Sequence, residues 1–238
     1  MNKAKKARPD IRGRAMAWLF LLCALLGSLL ALTLRAGFYS GFWHDPPEWA
    51  LRVASEDADE LFEAIPRALN GDLDALRLRV RGLDGREVAA FNEREIAHMA
   101  DVAELYRLAK IVLCVSAALF LTLALWIWQR GRRTPNKAGI AKGALWGVLD
   151  VLLLAGAVAL WALIDFRSAF WAFHHIAFTN DLWLLDPNTD LLIQMMPQEF
   201  FEWTVMAIGL LWATCAVAWC IGWGIVLRRT KSKAEEKA

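Results

Sequence analysis

Apolar residues in this chain gather into four long blocks, Ala15–Leu34, Ile111–Trp128, Leu145–Ile164 and Thr204–Leu227, and most polar positions fall between or beyond them. Each block has the roughly 20 residues that a helix needs to cross the hydrocarbon core of a bilayer. A segment surrounded by lipid must satisfy its own backbone hydrogen bonds, and a helix does so within the segment. The pattern predicts an all-α polytopic membrane protein with four transmembrane helices, over residues 15–34, 111–128, 145–164 and 204–227. The remainder divides into an N-terminal segment 1–14, connections 35–110, 129–144 and 165–203, and a tail 228–238.

The long first connection has patterns of its own. Ser55 is placed to cap a helix over Glu56–Leu69, where Leu61, Phe62, Ile65 and Leu69 recur at helical spacing and Asn70-Gly71 supplies a stop. Residues Leu76–Val80 alternate with period two, Asp84-Gly85 gives a tight turn, and Glu87–Phe91 returns as a second strand, so a hairpin is expected. Asn92 and Glu95 fit a capping box, with Phe91 and Ile96 spaced as a hydrophobic staple, which predicts a helix from about Glu93 toward the second span. On that helix Met99, Val102, Leu105, Tyr106 and Ala109 form an apolar stripe that includes His98, whereas Glu95, Glu104 and Arg107 point elsewhere. An imidazole is solvated more cheaply among charges, so its place on the stripe implies a partner, a cavity or a chemical role.

The connection 165–203 is aromatic as well as polar. Phe166, Phe170, Trp171, Phe173, Phe178, Trp183, Phe200, Phe201 and Trp203 suit the headgroup level, and predict a loop that hugs the bilayer surface. Asp186-Pro187-Asn188 reads as a turn, Asp190 as a cap for Leu191–Met196, and Pro197 as the opening of the fourth helix.

Composition agrees with the hydropathy pattern: 58% hydrophobic residues with 13 Trp exclude an ordinary soluble domain. The net charge of +2 conceals a sharp asymmetry. Lys3, Lys5, Lys6, Arg8, Arg12 and Arg14 precede the first block. Arg130, Arg132, Arg133, Lys137 and Lys142 lie in or beside the second connection, and Arg228, Arg229, Lys231 and Lys233 in the tail. By contrast, Ala36–Leu108 carries fifteen acidic residues against eight Arg. The positive-inside rule then places both termini in the cytoplasm and puts 35–110 and 165–203 outside, together forming a small α+β extracytoplasmic cap. Basic residues used in this way give no reason to expect a nucleic-acid partner. The first block is too long for a usual signal sequence and reads as an uncleaved anchor. Cys23, Cys114, Cys215 and Cys220 all fall within spans, so no disulfide framework, external thiolate or CxxC pair is expected.

Candidate chemistry gathers in the two outer connections. His98 and Asp101, three residues apart, share a helix face, as a base and its orienting carboxylate would; a buried structural histidine fits the same segment. His174 and His175 are adjacent and cannot point the same way, so one of them serves a site. Zinc has possible ligands in His98, Asp101, His174 and Asp181, but HExxH and cysteine ligands are lacking, which leaves a metal-dependent membrane hydrolase as the third reading. Asp186-x-Asn188-x-Asp190 opens like a calcium loop, but Leu191 and Pro197 stand where Gly and Glu are needed, so turn and cap is the better reading. No nucleophile elbow, P-loop or dinucleotide fingerprint occurs, and no cofactor is implied. Asp150, within about two turns of Lys142 at the inner end of the third span, reads as an interfacial charge. A non-catalytic membrane subunit or a lipid- or partner-binding protein accounts for the aromatic loop, though not for a histidine in the apolar stripe.

Two blocks carry a family likeness: Phe91-Asn92-Glu93-Arg94-Glu95-Ile96-Ala97-His98-Met99-Ala100-Asp101-Val102, and Phe173-His174 through Asn180-Asp181-Leu182-Trp183-Leu184-Leu185-Asp186-Pro187. They resemble a family of bacterial four-span membrane proteins that includes the lipoprotein intramolecular transacylase called Lit. The resemblance implies an acyltransferase of the bacterial cytoplasmic membrane with its site on the outer face. It would move the sn-2 acyl chain of a diacylglyceryl lipoprotein onto the α-amino group of that lipoprotein's N-terminal cysteine, giving the lyso form. The implied partners are the lipoprotein and membrane phospholipid. Carried over residue by residue, the family's two functional histidines match His98 and His174; Asp101, Asn180 and Asp181 are supporting candidates for fixing the histidine tautomers or contacting the glycerol. One histidine would act as base and the other would stabilise the oxyanion or orient the substrate. His174 is the first choice for base, and the reverse assignment stays open.

Overall fold

The computed structural model describes residues 7–43, 57–82, 85–131 and 136–235. The four apolar blocks lie in long helices: α1 (Ile11–Thr33), α4 (Glu93–Gly131), α5 (Lys137–Ile164) and α8 (Gln198–Glu235). Among the described residues these are the four helices long and apolar enough to cross a membrane. Their large apolar side chains stand outward, with Leu163 84%, Leu154 70% and Leu210 67% exposed. Water penalises such a surface and hydrocarbon does not. Between α1 and α4 come α2 (Ala36–Phe42), α3 (Ala58–Leu69), a 3-10 turn (Leu73–Leu76), β1 (Arg79–Arg81) and β2 (Glu87–Ala89). Between α5 and α8 come α6 (Phe166–Ala177) and α7 (Leu191–Met195). Ser55 and Asp84, expected as a cap and a turn residue, lie outside the described residues, as do Lys3, Lys5, Lys6, Arg132 and Arg133 of the basic flanks.

Two compact units emerge. The first is drawn from Met1–Gly27, Val112–Leu163 and Gly209–Ala238. Its buried cluster is small: Ala17, Leu21, Val148 and Ala216, bordered by Phe20 and Trp219, whose rings stack 4.5 Å apart. Gly13 and Gly143 let the starts of α1 and α5 meet backbone to backbone, since a Cβ on either would overlap the carbonyl oxygen of Ile140 or Asp10. The Trp212 and Trp219 indole N–H groups donate to the Leu21 and Ala144 carbonyls at 2.9 and 3.2 Å. Asp150 finds its partner in Arg14 (2.8 Å), with the Trp18 indole donating to its other oxygen at 3.3 Å. Lys142, the neighbour expected from the sequence, instead donates to the Ala7 carbonyl.

The second unit, Ser28–Ile111 with Ile164–Ile208, holds the larger core. Leu61, Ile65, Leu76, Val80, Phe91, Met99, Leu191, Met195 and Phe200 are buried together there. Helix α3 ends where the sequence places its stop. Asp72 N–H donates to Arg67 O, Gly71 N–H donates to Ala68 O, and Gly71 takes φ +103°, a Schellman close that favours glycine. The hairpin forms with Val80 opposite Val88, but its first strand starts at Arg79 rather than Leu76. The preceding residues coil into the 3-10 turn, which drives Leu76 into the core. Thr33 ties three helices together: Tyr39 donates to its carbonyl and Tyr106 to its hydroxyl, both at 2.8 Å.

Candidate active site

The site is built on the first turns of α4 and on α6. Asn92 and Glu95 form the expected capping box: Asn92 Oδ1 accepts from Arg94 N at 2.9 Å and Glu95 N at 3.1 Å, and Glu95 Oε2 accepts from Asn92 N at 2.7 Å. Phe91 and Ile96, the staple pair, are both buried in the same core. This start brings His98, in the second turn of α4, to an interior position where it is 8% exposed.

Helix α6 replaces what the sequence presents as a loop. Asp165 is its N-cap, accepting from Ser168 N at 3.0 Å. The helix turns His174 inward, 7% exposed, and leaves His175, Phe173 and Ile176 exposed. Adjacent histidines therefore divide between interior and surface, as helical geometry requires.

The His98 and His174 rings lie 6.3 Å apart, centre to centre. Phe178 touches both, at 5.3 Å from His98 and 5.6 Å from His174. Phe170 and Trp183 pack on His174 at 4.0 and 4.8 Å. Phe178 and Trp183, expected at the headgroup level, are thus buried walls of the site, 8% and 6% exposed. Burial dominates the electrostatics. It pushes the His98 pKa down to about 4, helped by His174 and opposed by Asp101. Burial also lowers the His174 pKa, partly offset by its bond to the Phe170 carbonyl. Both rings are neutral at pH 7. His174 Nδ1 lies 2.7 Å from the Phe170 carbonyl, which can only accept, so the proton sits on Nδ1 and Nε2 keeps its lone pair. Among the described residues, the buried His98 Nδ1 and Trp183 Nε1 have no hydrogen-bond partner. Unsatisfied buried polar atoms cost about 1–3 kcal/mol each and are uncommon.

The supporting residues divide. Asn180 Nδ2 donates to Asp101 Oδ2 at 2.8 Å, so Asp101 bonds Asn180 and leaves His98 Nδ1 unbonded. The exposed Asp181 contributes through its backbone carbonyl, which accepts from Arg94 Nη2 at 2.7 Å. Glu95, read from the helical wheel as pointing away from the packed stripe, is 2% exposed, and its Oε1 accepts from Leu192 N at 2.7 Å. Its pKa is raised by burial; the N–H groups of Leu192 and Asn92 pull it down and Asp190 pushes it up. Asp190 occupies the N-cap position of α7 without bonding that helix. Its carboxylate is taken up instead by Asn92 Nδ2, Asp186 N and Thr189 Oγ1. The cap that α7 lacks comes from Glu95, 97 residues away in sequence. The Asp186-Pro187-Asn188 turn forms as expected, with Asn188 N and Nδ2 donating to Asp186 Oδ1. No group of three or more His, Cys, Asp or Glu among the described residues is placed to hold a metal ion.

Four helices long and apolar enough to cross a bilayer, with one short two-stranded hairpin between them, define a polytopic integral membrane protein. The chain belongs to the lipoprotein intramolecular transacylase Lit family, whose model matches residues 15–201. Its fold is that of the membrane-integral lipoprotein intramolecular transacylase Lit from Bacillus cereus, with a TM-score of 0.68 at 16% identity, covering 93% of this chain and 95% of that one. Two histidine variants of the Bacillus cereus protein match as well. The arginine replacement has a TM-score of 0.64 at 17% identity, covering 94% of this chain and 92% of that one. The alanine replacement has a TM-score of 0.63 at 17% identity, covering 93% of each chain. Comparison with curated proteins gave no match.

Proposed function

We propose that this protein transfers the sn-2 acyl chain of a diacylglyceryl lipoprotein to the α-amino group of the same molecule's N-terminal cysteine, leaving a lyso-form lipoprotein. Family membership supports the reaction type. The observation that carries the reading is the facing pair of buried, neutral histidines, one with a defined tautomer. The charge asymmetry supports cytoplasmic termini and a site on the outer face of the bacterial cytoplasmic membrane, where the substrate's lipid is anchored.

In this mechanism His174 Nε2 is the base. An α-amino group of ordinary pKa ~7.7–8.0 is partly protonated at neutral pH, and its neutral form attacks the sn-2 ester carbonyl. As the C–N bond forms, the amine proton passes to Nε2. The bond from Nδ1–H to the Phe170 carbonyl stabilises the imidazolium that results. The carbonyl oxygen becomes an oxyanion and accepts a hydrogen bond from the N–H of neutral His98. The ester C–O bond then breaks, and the glycerol oxygen leaves with the proton returned by His174. The products are an amide and a free sn-2 hydroxyl, so no external serine or cysteine is required. Amine and ester belong to one molecule, which supplies the proximity term. Asn180, bonded to Asp101, is the candidate to contact the substrate's glycerol.

The test is mass spectrometry of a reporter lipoprotein's N-terminal lipopeptide, in a host without its own N-terminal acylation, with and without this gene. An N-acyl, S-monoacylglyceryl peptide seen only with the gene is the expected result. An unchanged diacylglyceryl peptide, with the protein present in the membrane, would overturn the reading.

A further inference from the structure

Four side-chain hydrogen bonds join residues 92–101, at the start of α4, to residues 180–192. Glu95 Oε1 accepts from Leu192 N at 2.7 Å, and Asn92 Nδ2 donates to Asp190 Oδ1 at 2.9 Å. Arg94 Nη2 donates to Asp181 O at 2.7 Å, and Asn180 Nδ2 donates to Asp101 Oδ2 at 2.8 Å. Of the side chains in these bonds Glu95 is the most enclosed, at 2% exposed, and each of its two oxygens takes a backbone N–H from a different element. Asp190, 7% exposed, lies close enough to oppose its ionisation. Two carboxylates buried together are expensive, and an apolar side chain would fill the same core at lower cost. What a carboxylate supplies, and an apolar chain cannot, is a directed bond to two N–H groups at fixed register. That register bears on the histidines: Glu95 precedes His98 by three residues on one helix face, and the segment it grips carries Trp183, packed on His174.

We propose that Glu95 is a positioning residue for the histidine pair. It clamps α7 and the segment leading to it onto the first turn of α4, and so keeps Trp183 packed on the His174 ring. The clamp stands on geometry alone, and its effect on acyl transfer rests on the function proposed above. Glu95→Gln tests it, because the amide keeps the shape but offers one acceptor oxygen for two N–H groups and turns an NH2 toward a donor.

The reagent is diethyl pyrocarbonate, with modification at each histidine of the membrane-reconstituted full chain followed by peptide mass spectrometry. Exposed His175 serves as the internal reference. In the unmodified protein His175 reacts fast, and His98 and His174 react slowly. Glu95→Gln should raise the rates at His98 and His174 at least fivefold relative to His175, and lower kcat on a synthetic diacylglyceryl lipopeptide at least tenfold with KM within twofold. Tyr106→Phe, which removes a bond to Thr33 in the same unit, should cost comparable thermal stability and leave those rates unchanged. Unchanged histidine rates and kcat in Glu95→Gln, or equal changes in Tyr106→Phe, overturn the proposal. If Glu95→Gln does not reach the membrane, Asn92→Asp severs the Asn92–Asp190 bond from an exposed position, and the same outcomes decide. Faster histidine modification in Glu95→Gln, with no transfer by the unsubstituted protein, would uphold the clamp and overturn the transacylase reading instead.

Discussion

The two units of this molecule solve the problem of polar groups in opposite ways. In the span-bearing unit the indoles of Trp212 and Trp219 use carbonyls of neighbouring helices, and Asp150 takes the nearest arginine and indole. Its buried cluster is a handful of side chains, because lipid covers the rest. In the other unit a full core surrounds groups that are costly to bury: two neutral imidazoles, two carboxylates and an indole N–H with no partner among the described residues. Buried polar side chains are few in the span-bearing unit, where Arg14 Nε is buried without a hydrogen-bond partner among the described residues, and are concentrated where chemistry is proposed. Stability is given up for pre-arranged groups in that second unit.

The largest effect should separate the units outright. His98→Ala or His174→Ala should lower transfer by ~10²–10⁴-fold, the range associated with loss of a positioned acid or base, with membrane insertion intact. Asp150→Asn in the span-bearing unit should leave transfer within about twofold. Lipopeptide mass spectrometry with immunodetection of the protein checks both, and loss of transfer in Asp150→Asn would erase the contrast.

A second expectation concerns the rate profile. Burial lowers the His174 pKa below its ordinary 6.5, so the substrate's amine with its pKa of ~7.7–8.0 should set the acid limb. The rate should climb steeply, approaching tenfold per unit, below the amine's pKa and level about one unit above it. An inflection at 6.5 that persists with a substrate amine of lower pKa would show a solvent-exposed histidine in control.

Stability should follow the same burial. Unfolded His98 takes up a proton below its ordinary 6.5, while in the folded protein it resists until about 4, so acid favours unfolding across that window. Between pH 7 and pH 5 this group alone should cost roughly 2 kcal/mol, a loss that His98→Gln should escape when thermal unfolding is followed in detergent. Smallest of all, Asp150→Asn should change stability by no more than about 1 kcal/mol, because Arg14 and Asp150 are each about one-third exposed at the side chain.

How far the sequence shows this organisation differs between the units for the same reason. A span is a local property, legible from one run of apolar residues, and all four helices are evident that way. His98 stands out because a polar side chain interrupts a helical stripe, and the capping box at Asn92 is a three-residue signal. Helix α6 is hidden because aromatic residues occupy both its buried and its exposed faces: Phe170 is packed on His174, and Phe173 is 54% exposed. The roles of Glu95 and Asp190 are not legible at all. Each looks like a cap for its own helix, and only a partner 97 residues away reveals that Glu95 also caps α7.

The most direct test uses purified protein in vesicles with two diacylglyceryl lipopeptides mixed in equal amounts, one with a heavy sn-2 acyl chain on a light peptide and the other with the reverse. If the buried histidine pair carries out transfer within one molecule, every N-acyl product keeps its parental pairing of labels, and His98→Ala and His174→Ala each form product ~10²–10⁴-fold more slowly. Crossed labels, or product from either variant at the unsubstituted rate, would contradict the account.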